Sequence, residues 1–241
     1  MSDYRSSHLA PDCPQRFDGH YTHGRGQLYW NAFERPYLEE LFARLGRDHP
    51  GRYLDFACGT GRILALGAPH FSETVGIDVS AVMIEEARAR VPRARVINAD
   101  VMRDPPNVGT FDVISLFRFI LSAEPELREG VLRWLRSVIA PTGVLVVNNH
   151  LNGRSVTGLA HRLEHRWNRQ SGRSPIDDEI EALFGRCGFA VQERFGFGII
   201  PPWRDRRLVP SAALLKVERL LGRSSTLQRY AKDRIFVCEP S

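Results

Sequence analysis

Short apolar runs alternate with helical periodicities along most of the chain. After Pro36, the residues Leu38, Leu41, Phe42 and Leu45 fall at i, i+3, i+4 and i+7, and Gly46 follows them, which predicts a helix with a C-terminal stop. From Gly51 the rhythm changes to β–α alternation. Tyr53–Phe56, Thr74–Asp78, Arg95–Ala99, Phe111–Leu116 and Val144–Asn148 read as strands. Helical patterns separate them: Gly59 to about Gly67, Ala81–Arg90 with Ser80 placed as its N-cap, and a helix from about Pro125. The last of these carries the stripe Leu132, Leu135, Val138 and Ile139, and Pro141-Thr142-Gly143 then turns the chain into the fifth strand. Strands joined by such helices imply right-handed crossovers and a parallel sheet covered on both faces.

Beyond His150 the alternation is interrupted. Residues 156–170 form an amphipathic pattern, with Leu159, Leu163 and Trp167 on one side as its anchor and Arg162, Arg166 and Arg169 elsewhere. A helix over Pro175–Arg186, a strand over Phe189–Gly196, a helix near 211–221 and a last strand Arg234–Cys238 complete the chain. Residues 1–26 are polar and broken by Pro11, Pro14, Gly19, Gly24 and Gly26, a poor composition for a packed element. The expected organisation is an N-terminal cap segment and helix over 1–50, then one α/β core over 51–241 with insertions near 151–174 and 198–230.

Composition narrows the class. With 43% hydrophobic and 25% charged residues among 241 and a mean hydropathy of −0.27, the chain has the balance of a soluble globular domain. No run approaches the roughly 20 apolar residues of a membrane span, and no signal-peptide pattern opens the sequence. Cys13, Cys58, Cys187 and Cys238 are scattered, which excludes a disulfide scaffold or zinc ribbon, so the expected location is the cytoplasm. No convincing metal constellation is present. The net charge of +5 is concentrated rather than spread: residues 151–174 hold five arginines against Glu164. A broad nucleic-acid-binding face is therefore not indicated.

Chemistry concentrates in three strand ends. Leu54-Asp55-Phe56-Ala57-Cys58-Gly59-Thr60-Gly61-Arg62 follows a strand and opens a helix, where glycines let a nucleotide-type ligand approach the backbone. Asp78 ends the second strand, placed to accept hydrogen bonds from two ribose hydroxyls and to repel a 2′-phosphate. Asp100, in Asn98-Ala99-Asp100-Val101, ends the third, within reach of an adenine amino group. A Walker-type phosphate loop is absent, and Leu64 stands where the dinucleotide fingerprint needs its third glycine.

On these motifs residues 51–150 resemble the class I S-adenosylmethionine-dependent methyltransferases, particularly the ubiquinone/menaquinone-methyltransferase-like small-molecule group. The resemblance implies a Rossmann-like doubly wound sheet, mostly parallel with an antiparallel last strand, and S-adenosyl-L-methionine as cofactor. It implies that Asp55, Ala57 (in place of a common glycine), Gly59 and Gly61 surround the methionine half. Asp78 would hold the ribose, Val79 and Met83 would flank the adenine, and Asp100 with Val101 would complete the adenine site. Phe117 would offer a main-chain carbonyl to the methionine amine.

The acceptor is less determined. Ser115-Leu116-Phe117-Arg118 lacks the prolines of amino-methylating nucleic-acid enzymes, and neither Cys187 nor Cys238 follows a proline as in carbon-5 pyrimidine methylation. The expectation is O-methylation of a small polar metabolite, glycosyl unit or natural-product intermediate. An RNA or protein methyltransferase and a cofactor-binding regulatory protein without turnover are the alternatives, with a nicotinamide oxidoreductase behind them. His150, just beyond the fifth strand, is the candidate general base because its intrinsic pKa lies near neutrality. His20 and His23 are rivals, and Tyr21, Tyr29 and Trp30 are candidates to pack on a ligand. Arg162 and Arg166 either hold an anionic acceptor group or form a solvated helix face.

Overall fold

The computed structural model describes residues 24–167, 175–200, 212–222 and 224–241. The chain enters through α1 (Gly24–Tyr29), a π-helical turn (Trp30–Glu34) and α2 (Arg35–Asp48). Gly24 and Gly26 thus lie inside a helix despite their low propensity, because Trp30 and Phe33 just beyond them are buried and anchor it. The core follows as β1 (Arg52–Phe56), α3 (Arg62–Gly67), β2 (Glu73–Asp78), α4 (Ala81–Arg90), β3 (Arg95–Asn98), β4 (Phe111–Leu116), α5 (Pro125–Val138) and β5 (Ile139–Asn149). After it come α6 (Val156–Trp167), α7 (Asp177–Arg186), β6 (Phe189–Phe197), α8 (Ala212–Leu221), α9 (Ser225–Gln228) and β7 (Asp233–Pro240).

The seven strands lie in the order β3-β2-β1-β4-β5-β7-β6. β1 pairs in parallel with both β2 and β4, and β4 with β5, whereas β7 runs antiparallel between β5 and β6. Strand order therefore reverses between β1 and β4, the point at which doubly wound sheets bind ligands beyond their carboxyl ends. Along β1, Leu54 and Phe56 join one apolar cluster with Leu132, Leu135 and Phe184, while Tyr53 joins the other with Leu38, Phe42 and Leu64. Successive side chains thus feed opposite layers, which is why the strand is buried from Tyr53 to Phe56.

Several boundaries depart from the sequence pattern. Ile139 leaves the helical stripe and begins β5. The register passes from Phe111↔Ile139 to Val113↔Val144, so Pro141-Thr142-Gly143 lie in a bulge rather than ahead of the strand. Ser80 stands at the N-cap of α4 but makes no side-chain cap bond; its backbone N–H donates to Asp78 Oδ1 at 2.9 Å, which fixes the turn that leads into the helix. On α6, Leu159 and Leu163 are 49% and 68% exposed, so that side does not anchor the helix as its periodicity suggests. The side chains of Arg162, Arg166 and Trp167, and all of His20, Tyr21, His23 and Arg169, lie outside the described residues. Among the described residues, no helix is long and apolar enough to cross a membrane.

Candidate functional site

Two clefts meet at the carboxyl edge of the sheet and share Ala57 and Asp78. One, an open cleft of about 390 Å³ including its solvent-facing mouth, is lined by Val79, Asp100 and Val101 with Phe56, Ile77 and Met102. The other, about 520 Å³, is lined by Asp55, Gly59, Met83 and Phe117 with Arg62 and Arg118. The first is mostly apolar, suited to a base; the second is lined by Asp55, Asp78, Arg62 and Arg118, suited to a zwitterion.

The loop between β1 and α3 shapes both. Ala57 is left-handed at φ 56°, as are Gly59 at 53° and Gly61 at 77°. A Cβ at Gly59 would meet nothing within 4 Å, so the missing side chain leaves open space facing the cleft. Gly61 serves differently. Its added Cβ would lie 3.1 Å from Ala87, so it lets α3 pack against α4 and does not line either cleft. Ala57 carries the strain that a glycine would avoid. Ala57→Gly is expected to raise stability by about 1 kcal/mol with cofactor affinity retained, checked by denaturant midpoints and titration.

Asp78 is 8% exposed and already positioned by the backbone. Its Oδ2 accepts the Gly59 N–H at 2.8 Å and its Oδ1 the Ser80 N–H at 2.9 Å. Asp100 Oδ1 accepts the Met102 N–H at 3.1 Å, tightening the turn after β3. Val79 and Met83 do not share a cleft: Val79 lines the apolar one and Met83, 1% exposed, the polar one. The helical step from the N-cap carries Met83 round to the α3 side.

Asp55 lies fully buried beneath the polar cleft. Ser115 Oγ donates to its Oδ1 at 2.6 Å, and the Tyr53 hydroxyl lies 2.7 Å from Ser115 Oγ. Burial pushes the Asp55 pKa up to about 7, against the Ser115 and Leu64 hydrogen bonds that favour the anion. Two pH effects follow. Because the folded value exceeds the unfolded 3.8, the unfolded chain releases this proton first, so stability falls as pH rises from about 4 through about 7. A cationic ligand, conversely, binds better as Asp55 ionises. Wild-type affinity for S-adenosylmethionine is expected to rise several-fold between about pH 6 and 8 and Asp55→Asn to lose that rise while melting higher at pH 8. Calorimetric titration and thermal melts at both pH values check this.

The sequence gives no sign of which contacts tie the N-terminal helices to this edge, and Tyr29 and Trp30, candidates to pack on a ligand, take part in them. Glu34, fully buried, takes Arg118 Nη2 on both carboxylate oxygens at 3.0 and 2.8 Å. Trp30 receives the Arg62 guanidinium 4.0 Å above its ring. Tyr29 donates to Asp233 Oδ2 at 2.5 Å, and Lys232 Nζ reaches the same oxygen at 3.1 Å. Glu34 had one sequence signal: it falls on the same helical face as Trp30 and Leu38, where a lone carboxylate needs a buried partner.

His150 stands at this edge but does not titrate near neutrality as its type suggests. Burial, then the Arg118 and Lys232 charges, press its pKa down to about 3, so the ring is neutral at pH 7 and a weak base. Among the described residues no group of His, Cys, Asp and Glu could hold a metal ion.

Comparison with known proteins identifies the family and the fold. Residues 54–143 match the model of a methyltransferase domain. The chain is 31% identical over 195 residues to a trans-aconitate 2-methyltransferase of Methylobacterium radiotolerans, covering 76% of this chain and 72% of that one. It is 34% identical over 127 residues to the dTDP-3-amino-3,4,6-trideoxy-alpha-D-glucopyranose N,N-dimethyltransferase of Streptomyces venezuelae, about half of each chain (52% and 52%). The fold is shared with magnesium protoporphyrin IX methyltransferase from Synechocystis PCC 6803 with bound SAH, at a TM-score of 0.66 and 16% identity over 99% of this chain and 100% of that one.

Proposed function

The chain belongs to the class I S-adenosylmethionine-dependent methyltransferases, and from that premise we propose that it methylates a hydroxyl group of a small polar metabolite, a glycosyl unit or natural-product intermediate. Bound S-adenosylmethionine supplies a methyl carbon activated by its sulfonium. The chain's task is then to hold that carbon in line with an acceptor atom and exclude water. We assign the ribose to Asp78, the adenine to the cleft of Val79, Asp100 and Val101, and the methionine half to Asp55, Ala57, Gly59 and the Phe117 carbonyl. One observation carries this assignment: an apolar and a polar cleft meet at a single carboxylate whose neighbouring glycine leaves the space open.

Hydroxyl acceptance is supported by the charge arrangement beside His150. Arg118 is paired with Glu34 and Lys232 with Asp233, so among the described residues these two cations are balanced by carboxylates. The name of the Methylobacterium relative favours a second reading, in which a polyanion such as trans-aconitate is the acceptor. Incubation with methyl-¹³C S-adenosylmethionine and panels of hydroxyl, amine and carboxylate compounds separates the two. The methyl resonance of the product is expected to be that of a methyl ether; products confined to N-methyl amines or methyl esters would refute the hydroxyl assignment.

A further inference from the structure

Three polar side-chain atoms are buried at one edge of the sheet and find no hydrogen-bond partner among the described residues: Asn148 Nδ2, His150 Nδ1 and Asp233 Oδ1. Two of these side chains are secured at their other end. Asn148 Oδ1 accepts the Arg118 N–H at 2.6 Å, and Asp233 Oδ2 accepts from Tyr29 and Lys232. Across β5 and β7, Asn148 pairs with Ile235 and Asn149 with Arg234, which brings His150 beside Asp233 at the next step outward. Arg118, whose backbone holds Asn148, lines the polar cleft. Buried polar groups are ordinarily satisfied, and three orphans on neighbouring strand ends, one of them on a side chain held by a residue of the polar cleft, mark a place where ligand atoms complete the set.

We propose that Asn148, His150 and Asp233 form the acceptor subsite, that it takes a neutral polyhydroxylated compound, and that Asp233 receives the proton of the hydroxyl being methylated. This rests on the reading of the chain as an O-methyltransferase. A hydroxyl accepts from Asn148 Nδ2 and donates to Asp233 Oδ1 at once, and a neighbouring hydroxyl engages the uncharged His150 ring. A carboxylate acceptor has no hydrogen for Asp233 and repels it. In the transfer, a lone pair on the acceptor oxygen forms the new C–O bond while the C–S bond breaks and sulfur keeps its electron pair. The hydroxyl proton passes to the Asp233 carboxylate, which returns it to solvent. Burial raises the proton affinity of Asp233, as does Glu34, whereas Lys232, Arg118 and the Tyr29 hydrogen bond oppose this. The group is thus a stronger base than an exposed aspartate.

The test offers the S-adenosylmethionine-saturated enzyme methyl glucoside, methyl galactoside, myo-inositol and glycerol beside glucuronate and galacturonate. At least one neutral compound is expected to be methylated with kcat/KM tenfold or more above either uronate. Asp233→Asn, which keeps the shape and the Tyr29 bond but puts a donor where the hydroxyl needs an acceptor, should lower kcat about 100-fold or more, flatten its pH profile and raise the acceptor KM several-fold, with adenosylhomocysteine affinity near wild type. Asn148→Asp, which exchanges a donor for an acceptor but keeps the Arg118 bond, should raise the acceptor KM about tenfold; it and the uronate comparison decide the matter if Asp233→Asn does not fold. Preference for the uronates, failure of every neutral compound, or an unchanged kcat in folded Asp233→Asn overturns the subsite. Methyl ethers formed chiefly on uronates would defeat this inference alone, whereas methylation only of amines or carboxylates would defeat the O-methyltransferase reading beneath it.

Discussion

Gly59→Val is expected to abolish measurable cofactor binding while leaving the sheet folded. The residue sits at φ 53°, a conformation that a β-branched side chain resists at a cost of roughly 1–2 kcal/mol. That cost falls on stability. The loss of binding has a separate cause, because the position of the missing Cβ faces open space and not protein. Two branches there would occupy the volume in which the ligand must approach the Gly59 backbone. Titration with adenosylhomocysteine should show at least a 100-fold loss of affinity, with far-UV circular dichroism unchanged. Near-normal affinity in the folded variant would mean that the cleft is not where the cofactor lies.

Asp78→Ala is the second large effect. Removal of the carboxylate takes away the acceptor assigned to both ribose hydroxyls, a loss of roughly 1.5–3 kcal/mol, or about 10- to 150-fold in Kd. It also releases the Gly59 and Ser80 N–H groups, which Asp78 holds at 2.8 and 2.9 Å, so loop and helix start lose a common tether. Asp78→Asn keeps one acceptor oxygen and is expected to fall between the two. Equal affinity in wild type and a folded Asp78→Ala would remove the ribose assignment.

The parts of this site that could be read from the sequence are those set by local spacing. Asp55 through Gly61, Asp78 and Asp100 each lie at the end of a strand whose apolar run announces it, and a parallel sheet carries all such ends to one edge. A close-approach turn could be read from Gly59, whereas Gly61 serves packing against Ala87 and Met83 lies on the side of the polar cleft. Longer-range relations were not legible. Glu34 and Arg118 are 84 residues apart, and Tyr29 and Asp233 are 204 apart; nothing in either local pattern names its partner. The same holds for the pKa of His150. Residue type suggests a base near neutrality, whereas burial together with Arg118 and Lys232 determines a neutral ring. The exposure of Leu159 and Leu163 shows the converse limit, since an amphipathic stripe states which residues share a face but not whether anything covers it.

A crystal structure of the chain with adenosylhomocysteine bound tests the central assignment most directly. The account predicts both ribose hydroxyls on the Asp78 carboxylate, the adenine between Val79 and Val101 near Asp100, and the homocysteine amine at the Phe117 carbonyl above Asp55. An adenine lying outside that cleft, or a ribose with no contact to Asp78, would contradict it.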